Sequence, residues 1–233
     1  MSGWDRVWAA RTVPQTAGST LAGLMAADGL DTPTGRVEEA AWLEFVRAVA
    51  ARVGLRPGDS VFEVGCGAGA FLYDLHRSGI AVSGLDRSPA LVELARQAMP
   101  GARFEVADAG ELDTAEQADA VVSCGVFLYF PSLEYARDVV LAMAAKARRA
   151  VAILDLPDLA TREEALARRR ELAGGEDAYA ERYRGLEHLY FDRDWVAGVL
   201  REAGLVRIET ASQAIAGYEN GRHRFNAFGL KDG

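Results

Sequence analysis

The residues with the clearest chemistry lie in one stretch. A short apolar run ending in an acid, Val61-Phe62-Glu63-Val64, leads into Gly65-Cys66-Gly67-Ala68-Gly69-Ala70. Three glycines in five residues exceed what a turn needs. After a buried strand, only glycine lets the backbone bend this sharply and come against a ligand where the next helix begins. The stretch therefore points to a nucleotide-type cofactor. Asp86 follows about twenty residues later at the end of a second strand, where a carboxylate can accept hydrogen bonds from both hydroxyls of a ribose. Asp108, just after a third strand and next to Ala109, is placed to accept from an adenine amino group.

Glycine spacing alone leaves the cofactor open. Gly65, Gly67 and Ala70 fit the G-x-G-x-x-G/A dinucleotide pattern, whereas Glu63 with Gly65, Gly67 and Gly69 fits the E-x-G-x-G-x-G pattern of S-adenosylmethionine enzymes. Asp86 serves either.

Acid–base candidates lie further along. His188, in Arg184-Gly185-Leu186-Glu187-His188-Leu189-Tyr190-Phe191, is flanked by an acid and aromatics, and an imidazole with a pKa of about 6.5 suits proton removal at neutral pH. The competing role is a histidine that hydrogen-bonds this segment to the sheet. Tyr190 and Tyr129 either orient a substrate or are amphipathic core residues. Gly221-Arg222-His223-Arg224 reads as a turn with solvated charges, Arg224 being the candidate for a substrate carboxylate. His76 reads as a helix-surface residue. The two cysteines, Cys66 and Cys124, form no Cys-x-x-Cys or Cys/His cluster, so neither a disulfide nor a metal site is expected. The two thiols come close if their strands are neighbours.

These residues need elements to hold them. In 233 residues, strands alternate with amphipathic helices: strands at 61–64, 80–85, 102–106, 119–124 and 150–154, then two last strands at 205–211 and 224–231 that form a hairpin. Residues 1–54 read as an N-terminal helical lid segment preceding a domain at 55–233. Trp4 and Trp8 form a stripe that covers either the cofactor or the core. After a polar break at 31–35, Val37, Ala41, Phe45, Val49 and Val53 trace the inner face of a helix. Residues 157–192 are too long for a simple crossover and read as a cap over the carboxyl edge of the sheet.

The formal net charge of −8 would repel a phosphate backbone. The one basic block, Arg168-Arg169-Arg170, reads as a solvated helix face, so no nucleic acid partner is expected. No apolar run approaches the roughly 18 residues of a membrane span. The N-terminus (Met1-Ser2-Gly3-Trp4-Asp5-Arg6) lacks a signal-peptide core, which gives the expectation of a cytoplasmic protein without membrane contact. Oligomeric state is not legible.

Glu63-Val64-Gly65-Cys66-Gly67-Ala68-Gly69 first, Asp86 second, Asp108 third and Asp119-Ala120-Val121-Val122-Ser123 fourth resemble the class I S-adenosylmethionine-dependent methyltransferases over roughly residues 55 to 231. The resemblance implies an α/β three-layer sandwich with a seven-stranded, mostly parallel sheet in the order 3-2-1-4-5-7-6, last strand antiparallel, plus a helical cap. It also implies S-adenosyl-L-methionine across the carboxyl ends of the first four strands. By the same resemblance Gly65, Cys66 and Gly67 pack against the methionine and ribose part, and Glu63 organises the loop and the ammonium. Asp86 holds the ribose, Arg87 lies beside the adenine, and Asp108 with the Ala109 amide meets it. Ser123, Cys124 and the residues up to Phe127 line the methyl-transfer site through backbone carbonyls and the Phe127 ring.

No Asn/Asp-Pro-Pro-Tyr motif or paired acidic loop is present. The stretch Phe127-Leu128-Tyr129-Phe130 and the cap favour a small organic acceptor, such as a natural-product intermediate, methylated on O or N. Two alternatives stand beside this: a nicotinamide-dependent reductase, opposed by Glu63 and by the lack of a Tyr-x-x-x-Lys pair, and a non-catalytic protein that keeps the fold.

Overall fold

The computed structural model describes residues 3–12, 18–32 and 35–232. Met1 and Ser2, and Pro33 and Thr34 of the polar break, lie outside the described residues.

The centre of the molecule is β1 (Ser60–Val64), with β2 (Ala81–Asp86) and β4 (Ala118–Cys124) parallel on its two sides. Beyond them run β3 (Arg103–Val106) next to β2 and β5 (Ala147–Pro157) next to β4. The last strand, β7 (Arg224–Leu230), is antiparallel between β5 and β6 (Arg207–Ser212), which gives the order 3-2-1-4-5-7-6. The expected topology is the observed one. β4 and β5 consist largely of Val, Ala, Ile and Leu because helices cover both sheet faces, as a parallel sheet requires.

One core packs α2 (Thr20–Ala27), α3 (Glu39–Arg52), α4 (Ala70–Arg77) and α5 (Pro89–Ala98) on one face. The other packs α6 (Leu133–Lys146) and α9 (Arg193–Glu202) on the opposite face. Trp42 of α3 ties the first layer down by donating its indole N–H to the Ala70 carbonyl at 3.1 Å, at the first turn of α4.

β5 differs from its expected extent of 150–154. It starts at Ala147, paired with Ala118, and continues through Pro157 by way of a register shift between Ile153 and Leu156. Asp155 sits at that shift with φ 59°, the one non-glycine residue with positive φ among the described residues. A bulge at a strand end re-aims a side chain, and a left-handed aspartate there costs about 1–2 kcal/mol.

The segment expected to form a cap contains α7 (Arg162–Ala173) and α8 (Glu176–Arg182). Its two ends are pinned together: Phe191 N–H donates to the Pro157 carbonyl at 2.8 Å, and Leu159 N–H to the Phe191 carbonyl at 2.9 Å. Phe191 is fully buried between Phe127 and Trp195. α1 (Gly3–Ala9) lies against the returning chain of this segment, where the Trp4 indole N–H donates to the Glu187 carbonyl at 3.2 Å.

Candidate functional site

Gly65, Gly67 and Gly69 all have positive φ. A Cβ at Gly67 would fall 2.2 Å from Asp28 Oδ1, and one at Gly65 would fall 2.4 Å from the Val126 side chain. The turn is therefore packed against protein on more than one side. Every backbone N–H from Gly65 to Ala70 is engaged. Gly65 and Cys66 donate to the Leu85 carbonyl at 2.8 and 2.9 Å, and Gly69 to the Cys66 carbonyl at 2.8 Å. Gly67 donates to Asp86 Oδ2 at 3.0 Å, while Ala68 and Ala70 donate to the two oxygens of Asp28 at 2.6 and 3.1 Å.

This hydrogen-bond pattern separates the two cofactor patterns. A dinucleotide pyrophosphate needs free N–H groups at the start of the helix, and here a carboxylate already holds them. Asp28, Glu63 and Asp86 instead crowd the turn with carboxyl groups. Burial and the neighbouring Asp86 push the Asp28 carboxyl up to about 7 against its two backbone hydrogen bonds and the more distant Arg11. Burial, with Asp28 and Asp86 nearby, raises Glu63 well above the usual carboxylate range, and its Oε2 is buried without a partner. Burial also raises Asp86, against the amides of Ser88 and Gly67 and the Arg87 charge. The pocket suits a cationic ligand that brings hydrogen-bond donors. Cys66, buried among the same acids, is held protonated.

On the other side of the β4 end lies a second polar group. Asp155 accepts from the Tyr218 hydroxyl at 2.9 Å and from Gln213 Nε2 at 3.3 Å, and Arg224 faces it at 3.9 Å. A Cβ at Gly125 would lie 4.0 Å from Asp155 Oδ2. The Cys124 thiol, raised by burial and then by Asp155, Glu63 and Asp28, lies between the two acidic groups. Above them His188 stacks on Trp4 (centroids 4.9 Å, 21°) and meets Tyr129 edge-on (5.5 Å, 78°). Neither ring nitrogen of His188 has a partner. Burial, then Arg169 and Arg224, hold it well below the usual histidine range, so it is neutral. Burial also raises the Tyr129 hydroxyl to about 12.

Residues 61–152 match the family described as methyltransferase domain. This sheet core is a methyltransferase domain of the class I type. The class takes its methyl group from S-adenosylmethionine. No curated protein matches the chain significantly. Solved structures share its fold at low identity. Magnesium protoporphyrin IX methyltransferase of Synechocystis PCC 6803, solved with bound SAM, is 16% identical over 94% of this chain and 92% of its own, with a TM-score of 0.60. A chain in the complex of the Haloferax volcanii Trm112 methyltransferase activator with its methyltransferase is 17% identical over 100% and 99%, with a TM-score of 0.67. The amino pentose methyltransferase of Micromonospora echinaspora involved in calicheamicin biosynthesis is 18% identical over 82% and 92%, with a TM-score of 0.59.

In this methyltransferase domain Glu63, Gly65, Cys66, Gly67 and Asp86 come together at the turn, as their spacing suggested. Asp108 does not present an open carboxylate: it accepts from the Tyr135 hydroxyl and from Gly110 N–H at 3.0 Å, with Arg87 3.9 Å away. Burial raises its carboxyl, but these contacts outweigh burial and hold it below the usual range. Ala109 is buried beside it.

The Ser123 hydroxyl donates to the Val64 carbonyl at 2.8 Å and joins two strands. Three expectations need correction, those for Phe127, His188 and the two arginine groups. The Phe127 ring is buried against Phe130 at 4.6 Å and so belongs to the core. His188 does not hydrogen-bond the cap to the sheet; aromatic stacking holds it. The arginines at 168–170 and 222–224 are not simply solvated, because Arg168, Arg169, Arg222 and Arg224 line one cavity. The sequence reading missed Asp28 altogether. Asp155 likewise carries no mark of its role in the sequence.

Proposed function

We propose that the protein is an S-adenosylmethionine-dependent methyltransferase that methylates an oxygen or nitrogen of a small organic acceptor beneath the cap. The observation carrying this reading is the glycine turn, whose N–H groups are all occupied and which is ringed by Asp28, Glu63 and Asp86. That arrangement repels a pyrophosphate and complements a sulfonium and an ammonium.

Asp86, with lone pairs left over on both oxygens, would take the ribose hydroxyls. The unpaired Glu63 Oε2 would meet the ammonium through the loop. Arg87, Asp108 and Ala109 would border the adenine, and the backbone at Ser123 and Cys124 would border the methyl-transfer site. Bound S-adenosylmethionine supplies an electrophilic methyl group. The protein aligns the acceptor, excludes water and receives a proton when the acceptor arrives as an alcohol or an ammonium. His188, neutral and with both nitrogens unpaired, is the residue for that proton. Tyr129 and Tyr190 orient the acceptor, and α1 closes over them with Trp4 and Trp8 against Tyr129.

Isothermal titration with S-adenosylmethionine, S-adenosylhomocysteine, NADH and NADPH tests the reading. Micromolar binding of the two adenosyl ligands alone is the expected result. Binding of a nicotinamide cofactor instead would overturn it.

A further inference from the structure

A cavity of about 140 Å³ lies between α7 and the turn before β7, and its wall carries Arg168, Arg169, Arg222 and Arg224 against Glu164 and Glu219. Arg168 is matched by Glu219 at 2.9 Å and Glu171 at 2.8 Å. Arg224 is only 6% exposed; it donates to the Asp155 backbone carbonyl at 3.4 Å and faces the Asp155 carboxylate at 3.9 Å, longer than a hydrogen-bonded pair. Arg169 and Arg222 have no ion pair or hydrogen bond among the described residues. Two further polar groups at this cavity, the Tyr190 hydroxyl and His223 Nδ1, are buried without a partner. Buried polar atoms are almost always satisfied, and leaving one unpaired costs about 1–3 kcal/mol. The acceptor these donors lack is negatively charged and small enough for the space. In a chain of net charge −8, concentrating cations here is a local feature of the site.

We propose that this cavity binds an oxyanion of the methyl acceptor, a carboxylate or a phosphate, through Arg169, Arg222 and Arg224 with the Tyr190 hydroxyl. The guanidinium fork matches both anions in geometry. The location fits an acceptor anchored at one end. Arg224 contacts Asp155, Asp155 borders Gly125 at the end of β4, and Arg169 and Arg224 are near enough to His188 and Tyr129 to act on both by charge. An acceptor held at the arginines would run past His188 toward the end of β4. The proposal rests on the methyltransferase reading for the word acceptor, but not for the anion site itself.

The test titrates benzoate and phenyl phosphate, with benzamide as the uncharged match, into the full chain, with S-adenosylhomocysteine titrated in parallel. At least one anion is expected to bind about tenfold or more tightly than benzamide. Arg169→Met is expected to weaken that binding by about tenfold, and Arg201→Met, the same charge change away from the cavity, to leave it unaltered. Arg224→Met should act like Arg169→Met where it folds; Arg169, only half-buried on α7, keeps its variant informative either way. Equal binding of all three probes, or anion binding insensitive to Arg169→Met, overturns the proposal. Should S-adenosylhomocysteine bind while the anions are not distinguished, the proposal alone fails. Should the anions bind as expected and S-adenosylhomocysteine not, the anion site stands and the methyltransferase reading fails.

Discussion

Asp28 offers the sharpest test of the electrostatics of the turn. Its carboxyl is held at about 7 against an ordinary 3.8, with burial as the largest cause. The folded state thus binds a proton more tightly than the unfolded chain, so between these two values stability falls as pH rises, and it levels off above the higher one. Each pKa unit is worth about 1.4 kcal/mol, so raising the pH from about 5 to about 8 should cost up to about 3 kcal/mol through this one group. In a domain of this length that is about 5–10 °C of melting temperature. Asp28→Asn removes the titration while its amide oxygen still accepts one of the two bonds from Ala68 and Ala70. Glu63 and Asp86 titrate in both proteins, so the quantity to read is the difference between two melting curves against pH, measured by circular dichroism without ligand. The wild type should lose stability across this range and the variant distinctly less. Curves that run parallel would show that Asp28 is not buried as a charge at the turn, and would remove it from the cofactor pocket.

The same acids make a second prediction. S-adenosylmethionine affinity should rise by up to about tenfold as pH increases through neutrality, and more than that of the uncharged-sulfur product, because ionising Asp28 strengthens attraction to the sulfonium; equal pH dependence of the two ligands in titration calorimetry would contradict this. Asp86→Ala frees the Gly67 and Ser88 amides and removes the proposed ribose acceptor, so cofactor affinity should drop by about tenfold or more; an unchanged Kd would misplace the ribose. His188→Ala should lower turnover on a hydroxyl or ammonium acceptor by about a hundredfold and leave cofactor Kd nearly intact; unchanged turnover would leave His188 as a packing ring between Trp4 and Tyr129. Phe191→Ala, which empties the contact pinning both ends of the cap, should cost about 3–5 kcal/mol in urea denaturation, and a loss below about 1 kcal/mol would show that the cap is not held there.

The parts of the site legible from sequence were those fixed by neighbouring residues. The glycine turn, Asp86 at the end of β2 and the alternation of apolar strands with helices each show in a local pattern, and the resemblance they carry implied the strand order. Phe127 was misread because position after a strand end does not say which way a side chain is used. Asp28 reaches the turn across 40 residues, and no local signal marks the last turn of α2 as its partner. Asp155 depends on a bulge in β5 and on Tyr218 and Arg224, 63 and 69 residues away. Charges on α7 look solvated until the turn before β7 is placed against them. The acceptor half is thus written in contacts between distant segments, outside the span where the family pattern holds. The match ends at residue 152, just before Asp155. Apart from Tyr129, everything proposed here to choose the acceptor, from Asp155 and Arg169 to His188 and Arg224, lies beyond that point, with α1 closing over it from the other end of the chain. On the proposed reading, exchanging residues on α7 should change which molecule is methylated while leaving cofactor affinity untouched.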